Sequence, residues 1–291
     1  MLRKIKGFTY LKPFTVSEAI SLLDEYNGKA KILAGGTDLL IQMKQRTQNP
    51  EYVIDIKNIP ELGNITYDEN EGLSIGPLAT YTALASSPVV REKFGLLADA
   101  AFAVGSPQIQ NRGTVAGNLC NASPSADTAP ALIALNAQLK LVSMKGERIV
   151  SVEEFFVGPF KTILKDTEIL AEILIPNVPL HSGGSYLWLP KIITAVDETL
   201  VGVGALITVD DMKNKICTEA RIGLGSVAPT PIRAKKAGES LKGKRIENGL
   251  FEQAGVIAST EALPRSRAEY RSEMIKVFVK RALNRALERI R

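Results

Sequence analysis

The sequence contains few of the side chains that hold metals or carry nucleophilic catalysis. Its 291 residues include two cysteines, Cys120 and Cys217, and a single histidine, His181. A zinc or iron–sulfur site needs about four suitable ligands, so the composition argues against such a site within this chain. A Ser-His-Asp or Cys-His arrangement would have to use His181, which lies in a glycine-rich segment. We therefore predict no catalytic side chain and no metal ligand.

Long apolar runs are also missing. No stretch of about eighteen apolar residues occurs, so no membrane-spanning helix is expected. Residues 1–8 lack the apolar core of a signal peptide. We expect a cytoplasmic protein.

Excess charge is confined to one end of the chain. The formal net charge is +5, and residues 261–291 hold nine basic and four acidic side chains, which accounts for all of it. Apolar residues recur there at helical spacing, at Ile275, Val279, Ala282 and Ala286. A solvated helix face explains this pattern, and with 6% aromatic residues and no recognisable motif we expect no binding to nucleic acid.

Two glycine-bearing segments carry most of the functional information. They are Leu33–Asp38, with the sequence LAGGTD, and Gly105–Asp127, with the sequence GSPQIQNRGTVAGNLCNASPSAD. A pyrophosphate is bound best by several backbone N–H groups at once, and close approach requires residues without a Cβ. The first segment follows a predicted strand, Ala30–Ala34, and precedes a predicted helix, Asp38–Lys44, which either Thr37 or Asp38 would cap. The alternative is that this glycine turn has only a structural role and binds no ligand.

The second segment places polar groups at intervals that do not suit a packed helix or strand. These are Thr114, Asn118, Ser123, Ser125 and Asp127. We interpret them as ligand-facing groups on an ordered loop. The two segments together predict one phosphate-rich dinucleotide held by two separate loops.

Other nucleotide-binding motifs fail. Gly202-Val203-Gly204 resembles the start of a dinucleotide fingerprint, but Ile207 stands where the third glycine belongs. The segment instead predicts a strand packed closely against a neighbour. No Gly-x4-Gly-Lys-Ser/Thr sequence occurs, so Rossmann and P-loop folds are both excluded.

Local patterns divide the first part of the chain into two units. Thr15–Glu18 is a capping box that opens a helix through Glu25, within a compact unit of about residues 1–56. A second α+β unit, residues 57–177, contains the predicted strands Gly72–Pro77, Gln138–Ser143 and Glu168–Ile175. Residues 177–184 are rich in breakers and predict a linker with a domain boundary.

The remaining residues, 184–291, predict a separate domain. Three apolar runs come first, at Ser185–Ile193, Leu200–Val209 and Ile216–Ser226. Three helical stretches follow, at 231–240, 246–260 and 264–290. This order predicts a three-stranded antiparallel sheet with three helices on one face, and an α+β fold class for the whole chain.

The glycine segments also resemble those of a known family. Ala34-Gly35-Gly36-Thr37, the stretch Asn111–Asn118 (NRGTVAGN), Pro124 and Asp127 match elements of the FAD-binding subunit of the molybdenum hydroxylases. That family includes the medium subunit of carbon monoxide dehydrogenase and the FAD domain of xanthine dehydrogenase. The resemblance covers nearly the whole chain, with further landmarks at 52–56, 73–77 and 268–271.

The resemblance implies a fold and departs from the family pattern in two places. The implied fold is a two-subdomain FAD-binding domain of the vanillyl-alcohol-oxidase or PCMH type, residues 1–177, followed by a C-terminal domain of the carbon monoxide dehydrogenase flavoprotein type. Ala116 replaces a family glycine. A family lysine near the flavin is out of register, and Lys191 is the only nearby candidate.

The resemblance further implies non-covalent FAD and a set of contact residues. Ile32–Leu39 and Thr114–Asn118 would surround the pyrophosphate and ribityl region, Ser123 and Asp127 would add polar contacts, and Ile109 and Leu170 would add apolar ones. Trp188 is a candidate for stacking on the flavin, with core packing as the alternative. Cys120 lies within the second segment, where its side chain is either a small apolar packing group or a reactive thiol. The full set of candidate cofactor-binding residues is Ile32, Leu33, Ala34, Gly35, Gly36, Thr37, Asp38, Leu39, Ile109, Thr114, Ala116, Gly117, Asn118, Cys120, Ser123, Asp127, Leu170, Trp188 and Lys191.

The implied function is electron transfer within a larger complex. A large subunit would carry molybdopterin, a small subunit would carry two [2Fe–2S] clusters, and this chain would exchange electrons with an acceptor such as NAD or a quinone. The resemblance thus implies a heterotrimer. Two alternatives remain, which are a self-contained FAD-dependent oxidase of the same superfamily and a structural partner that has lost its cofactor.

Overall fold

The computed structural model describes residues 4–191 and 198–290. Its first unit is a small parallel sheet with strand order β1-β3-β2. Its elements are β1 (Thr9–Leu11), α1 (Val16–Glu25), β2 (Ala30–Leu33), α2 (Leu39–Gln45) and β3 (Tyr52–Asp55). The predicted strand and helix around the first glycine turn are therefore present as β2 and α2.

The predicted capping box opens α1. The Thr15 hydroxyl accepts a hydrogen bond from the Glu18 N–H at 3.1 Å, and the Glu18 carboxylate accepts one from the Phe14 N–H at 2.7 Å. The reciprocal bond thus reaches one residue further back than a standard capping box, where it would come from the N-cap N–H. The buried face of α1, which packs toward the sheet, consists of Ala19, Ile20 and Leu23.

The second unit is an antiparallel sheet with strand order β4-β5-β10-β6-β7, packed against short helices. Its elements are β4 (Ile65–Asp68), β5 (Gly72–Ile75), α3 (Tyr81–Ser86), α4 (Pro88–Lys93), α5 (Gly95–Ala103), α6 (Pro107–Gln110), α7 (Val115–Asn121), α8 (Thr128–Ala134), β6 (Gln138–Ser143), β7 (Gly146–Ser151), α9 (Val152–Phe155), β8 (Phe156–Gly158), β9 (Lys161–Thr162) and β10 (Ile169–Ile175). Strands β8 and β9 form a separate hairpin. The second glycine segment spans α6 and α7 and ends at the start of α8.

The C-terminal part is an antiparallel sheet with strand order β11-β12-β13-β14, followed by helices. Its elements are β11 (Ser182–Pro190), β12 (Thr199–Val209), β13 (Cys217–Gly225), β14 (Ile232–Arg233), α10 (Lys235–Glu239), α11 (Leu250–Glu261) and α12 (Ala268–Glu288). The three predicted strands are confirmed, but the predicted helix 231–240 is helical only over Lys235–Glu239, and the predicted three-stranded sheet has a fourth strand. The two-residue strand β14 was not predicted, and residues 192–193 of the first predicted run lie outside the described residues.

The predicted linker is partly wrong. Residues 182–184 begin strand β11, although their sequence, Ser-Gly-Gly, suggested a loop. A Cβ on Gly183 would lie 2.0 Å from the Ala286 carbonyl oxygen, and one on Gly184 would lie 2.6 Å from the Leu96 side chain. These glycines therefore let helix α12 and helix α5 pack closely on the two faces of the strand. The domain boundary near this point stays a prediction.

The C-terminal sheet is covered on both faces, not only on the predicted one. Helix α12 packs on one face, where the Ser185 hydroxyl donates to the Ala282 carbonyl at 2.7 Å. Helix α8 packs on the other, where the Pro130 carbonyl faces Gly204 and Gly223. The prediction that the Gly202–Gly204 segment is a closely packed strand is confirmed.

Candidate cofactor cleft

The two glycine segments touch each other in the fold. A Cβ on Gly35 would lie 2.1 Å from the Arg112 carbonyl oxygen and 2.9 Å from the Cα of Gly113. A Cβ on Gly113 would in turn lie 2.7 Å from the Tyr81 ring. Only glycine allows the backbones to approach this closely, so the two turns form one continuous wall.

The first turn presents a row of backbone donors. Among the described residues, the N–H groups of Gly35, Gly36, Thr37 and Asp38 donate to no protein acceptor. Gly36 has a φ of +78°, which reverses the chain between strand β2 and helix α2. Backbone polar groups in a folded protein are nearly always paired, and consecutive donors of this kind bind anionic oxygens. This geometry fits the pyrophosphate of a dinucleotide.

The second turn starts helix α7 and leaves open space beside it. The Thr114 hydroxyl accepts a hydrogen bond from the Gly117 N–H at 3.0 Å and so caps the helix. A Cβ on Gly117 would meet only that hydroxyl, at 2.9 Å. The side-chain amide of Gln42 on α2 donates to the Asn121 side-chain carbonyl at 2.8 Å, which ties the two helices together.

The turns form one wall of a cleft with a volume of about 510 Å³, within the range of known ligand sites. Thirteen of the candidate residues line it, namely Ile32, Ala34, Gly35, Gly36, Thr37, Asp38, Leu39, Thr114, Ala116, Gly117, Asn118, Cys120 and Leu170. Their contacts with FAD stay predictions, but the fold brings these residues together from three separate segments.

Sequence reasoning missed most of a second wall of the cleft, which residues 157–170 form and of which only Leu170 was a candidate. Residues 157–170 contribute Val157, Phe160, Lys161, Thr162, Leu164, Lys165, Asp166, Glu168 and Ile169. This segment has neither a glycine-rich turn nor a strong periodicity, so nothing local marked it. The remaining lining residues are Leu23, Ala30, Lys31, Gln42, Gln48, Ile56, Pro77 and Asn121.

Six candidate residues lie outside the lining of the cleft, namely Leu33, Ile109, Ser123, Asp127, Trp188 and Lys191. Leu33 packs in a small core with Met43 and Val53. Ile109 packs against the main core of the second unit, and the Ser123 hydroxyl accepts from the Ser125 N–H at 3.2 Å. A cofactor role for them stays a prediction.

The two candidates from the C-terminal sheet also have partners of their own. The Trp188 ring lies nearly parallel to the Tyr186 ring, with an interplanar angle of 14° and centroids 6.1 Å apart. The Lys191 ammonium lies 3.2 Å from a Glu198 carboxylate oxygen. The structure supports the packing interpretation of Trp188, and a flavin contact of either residue stays a prediction.

Asp127 connects the second glycine segment to the C-terminal sheet. Its partly buried carboxylate accepts hydrogen bonds from the Tyr186 hydroxyl, at 3.2 Å, and from the Thr199 hydroxyl. Burial raises the pKa of Asp127 to about 6, although both hydrogen bonds act to lower it. The carboxyl therefore joins the cofactor segment to strands β11 and β12.

The charged groups of the cleft lie mainly on its second wall. Lys31 pairs with Asp166 at 3.3 Å, whereas Lys161 and Lys165 make no salt bridge with another described residue. Partial burial against the cleft wall raises the pKa of Asp38, although much of this residue remains in contact with solvent. The unpaired ammonium groups would offset the negative charge of a bound pyrophosphate.

The cleft lining contains no histidine and no reactive thiol. Burial raises the pKa of the Cys120 thiol to about 12, so it stays protonated and is a poor nucleophile near neutral pH. The lone histidine, His181, is not among the lining residues, and its Nδ1 lies 3.1 Å from the Asp210 carbonyl oxygen. The described part of the chain holds no cluster of metal-binding side chains, and none of its helices has the length and apolarity needed to cross a membrane.

Two family models match the chain. The model described as "FAD binding domain in molybdopterin dehydrogenase" matches residues 6–178, and the one described as "CO dehydrogenase flavoprotein C-terminal domain" matches residues 194–286. The first match contains both glycine turns and both walls of the cleft. The second contains most of the C-terminal sheet and its helices.

Individual relatives align over nearly their whole length. The carbon monoxide dehydrogenase medium chain of Hydrogenophaga pseudoflava is 34% identical over 97% of this chain and 98% of its own. A putative xanthine dehydrogenase FAD-binding subunit of Escherichia coli is 33% identical over 96% of both chains. A solved structure of the Hydrogenophaga enzyme superimposes with a TM-score of 0.92 over 99% of both chains. The resemblance inferred from the sequence is thereby confirmed, as are the α+β fold and the FAD-binding domain.

Proposed function

Because the chain belongs to the family of FAD-binding subunits of molybdopterin dehydrogenases, we propose that it is the electron-transfer subunit of such a complex. In this proposal a large partner subunit carries molybdopterin and a small partner carries [2Fe–2S] clusters, as a heterotrimer. The chain would pass electrons between those clusters and an external acceptor such as NAD or a quinone. The observation that carries the cofactor assignment is the row of backbone donors at Gly35–Asp38 beside the open space at Gly117.

The side chains and backbone of the cleft suit a binding role. The Gly35–Asp38 N–H groups would hold the pyrophosphate, and the lysines at 161 and 165 would balance its charge. Apolar groups such as Ile32 and Leu170 would contact the uncharged parts of the cofactor. Bound FAD would itself supply one- and two-electron redox chemistry, so the chain needs no acid, base or nucleophile of its own.

A self-contained oxidase is less well supported. Such an enzyme would need a base beside its substrate, yet the cleft lining holds no histidine and the Cys120 thiol is protonated, which leaves only carboxylates and lysines for that role. The chain also lacks a lining histidine for covalent attachment of the flavin. These features favour a chain that takes its electrons from a partner protein.

The cofactor assignment is tested by the absorption spectrum of the purified chain, followed by acid precipitation and chromatography of the released molecule. We expect a flavin spectrum and free FAD. Gly35→Ala should lose the flavin, because its Cβ would force the two turns apart, whereas Gly63→Ala should keep it, since no atom lies within 4 Å of that Cβ. A colourless wild-type chain that takes up no added FAD would overturn the proposal.

The electron-transfer role is tested by reconstitution. Flavin absorption in this chain should bleach on addition of substrate only when the molybdopterin and [2Fe–2S] partners are present. Turnover of an organic substrate by the isolated chain would favour the oxidase alternative. A cytoplasmic location is part of the proposal, and cell fractionation with an antibody against the chain tests it.

A further inference from the structure

The turn between strands β8 and β9 has an unusual residue at its tip. Gly158 and Lys161 pair across the hairpin, so the turn consists of Pro159 and Phe160. Phe160 has a φ of +58°, in the left-handed region that side chains with a Cβ rarely adopt. Glycine or asparagine is the usual residue at this position of such a turn. Phe160 is therefore a bulky aromatic residue in a backbone conformation that such residues disfavour.

The position of this turn is fixed by a hydrogen bond. The Phe160 N–H donates to the Ala122 carbonyl oxygen at 2.8 Å. Ala122 follows the last residue of helix α7 and is itself left-handed, with a φ of +50°. The hairpin is thus attached to the end of the helix that the second glycine turn begins, and the fold determines where Phe160 stands.

The Phe160 side chain gains little from burial within this chain. It is 62% exposed, and Val157 in the preceding strand β8 is 61% exposed. Exposed apolar groups contribute almost nothing to the stability of an isolated fold. Strained and exposed residues of this kind occur mainly where a ligand or partner completes their surroundings.

The position of Phe160 in the cleft indicates which ligand would cover its exposed ring. Phe160 and Val157 line the same cleft as the Gly35–Asp38 donors and the open space at Gly117. FAD contains two planar aromatic systems, the isoalloxazine and the adenine, on either side of the pyrophosphate that those donors would bind. Phenylalanine rings pack favourably on planar aromatic systems. We propose that Phe160 stacks on one aromatic ring system of bound FAD, and that the β8–β9 turn covers that ring.

This proposal rests on the proposed function, since it requires FAD in the cleft. It is tested by titrating the full-length, flavin-free chain with FAD and following flavin fluorescence. Phe160→Ala should weaken FAD binding roughly three- to thirtyfold, the range of one lost aromatic stacking contact. Phe160→Tyr should bind as tightly as the wild type. The matched control is Phe102→Ala, because Phe102 is 69% exposed but lies outside the cleft lining.

A second measurement separates stacking from a structural role. Phe160→Gly relieves the left-handed backbone, so the flavin-free variant should melt at a higher temperature than the flavin-free wild type. The same variant should bind FAD more weakly. A purely structural residue would not change these two properties in opposite directions.

Two further titrations identify the ring. With ADP and FMN as ligands, Phe160→Ala should weaken only ADP binding if Phe160 covers the adenine, and only FMN binding if it covers the isoalloxazine. Equal FAD affinity in the wild type, Phe160→Ala and Phe102→Ala would overturn this inference alone and leave Phe160 as a contact for a partner subunit. A wild-type chain that binds no FAD would overturn the proposed function as well.

Discussion

Glycines lie both in the cofactor cleft and in the interface between helix α8 and the C-terminal sheet, but their surroundings differ. In the interface, a Cβ on Gly204 or Gly223 would lie 2.6 or 2.1 Å from the Pro130 carbonyl oxygen. In the cleft, a Cβ on Gly117 would meet only the hydroxyl of Thr114. The interface glycines admit another part of the same chain, whereas Gly117 leaves room on the cleft side. A glycine in the sequence thus indicates close approach without showing what approaches.

Polar groups differ between the two regions in the same way. At the interface the Asp127 carboxylate is satisfied within the chain, by the Tyr186 and Thr199 hydroxyls. In the cleft, the described donors of the first glycine turn have no protein acceptor. The interface therefore stabilises the fold, and the cleft presents groups to a ligand. Substitutions in each region test this division.

Gly223→Ala should destabilise the fold most strongly. Its Cβ would overlap the Pro130 backbone, which cannot move without shifting helix α8. We expect the free energy of unfolding to fall by about 3 kcal/mol, measured by urea denaturation followed by circular dichroism. Gly63→Ala is the control and should change stability by less than about 1 kcal/mol. Equal losses in the two variants would show that α8 does not pack closely on the sheet.

Gly117→Val should reverse this pattern and affect binding more than folding. The added Cβ would lie 2.9 Å from the Thr114 hydroxyl and from no other atom within 4 Å, and Gly117 lines the cleft. We expect FAD affinity to fall about a hundredfold, equivalent to about 2.7 kcal/mol, with a loss of flavin-free stability that is smaller than the loss of about 3 kcal/mol expected for Gly223→Ala. Fluorescence titration and urea denaturation measure the two quantities. If stability were lost and affinity kept, Gly117 would belong with the packing glycines.

Asp127→Asn should change how stability depends on pH. Burial raises the pKa of Asp127 from 3.8 to about 6 in the fold, so the unfolded chain releases this proton first as pH rises. Below pH 3.8 the residue is protonated in both states and has no effect. As the pH rises from 3.8 to about 6, ionisation of Asp127 in the unfolded chain lowers the stability of the wild type by at most about 3 kcal/mol. Above about pH 6 this loss of stability stays constant.

The asparagine variant removes this titration while keeping an acceptor for Tyr186 and Thr199. Urea denaturation of both flavin-free proteins from pH 4 to about 8 gives the comparison. The stability of the wild type relative to the variant should decline with pH and then level off. Parallel profiles would indicate that the Asp127 carboxyl is not desolvated at the interface.

Asp99→Asn should give the smallest effect. Asp99 on α5 pairs with Arg289 and lies 3.9 Å from Arg285, but these side chains are 25–42% exposed. We expect a loss of at most about 1 kcal/mol that shrinks as salt is added. Melting temperatures at low and high salt measure it. Glu252→Gln, which breaks the more exposed pair with Lys280, should cost even less, and a larger loss there would contradict this ranking.

Features set by a few neighbouring residues were predictable from the sequence. The Thr15 cap with Glu18 and the strand Gln138–Ser143 were predicted with their observed bounds. The linker prediction failed at Gly183 and Gly184 because it treated glycine as a breaker. There the glycines serve packing by α12 and α5, which a local pattern does not contain.

About half of the cleft could be predicted in the same way. The glycine turns have a recognisable local chemistry, so the wall they form was found. The wall around Val157 and Phe160 was not, since a hairpin becomes a ligand-facing surface only through its position in the fold.

The amino-acid sequence was enough to indicate the family, the two glycine turns and the scarcity of histidine and cysteine, and with them the expectation of a bound redox cofactor. The folded structure was needed to show that Gly35 packs against Gly113, that Asp127 bonds to residues of β11 and β12, and that Phe160 lines the cleft. Composition and turn chemistry depend on residues close together along the chain. These contacts join segments far apart in sequence, and packing of the whole fold selects them.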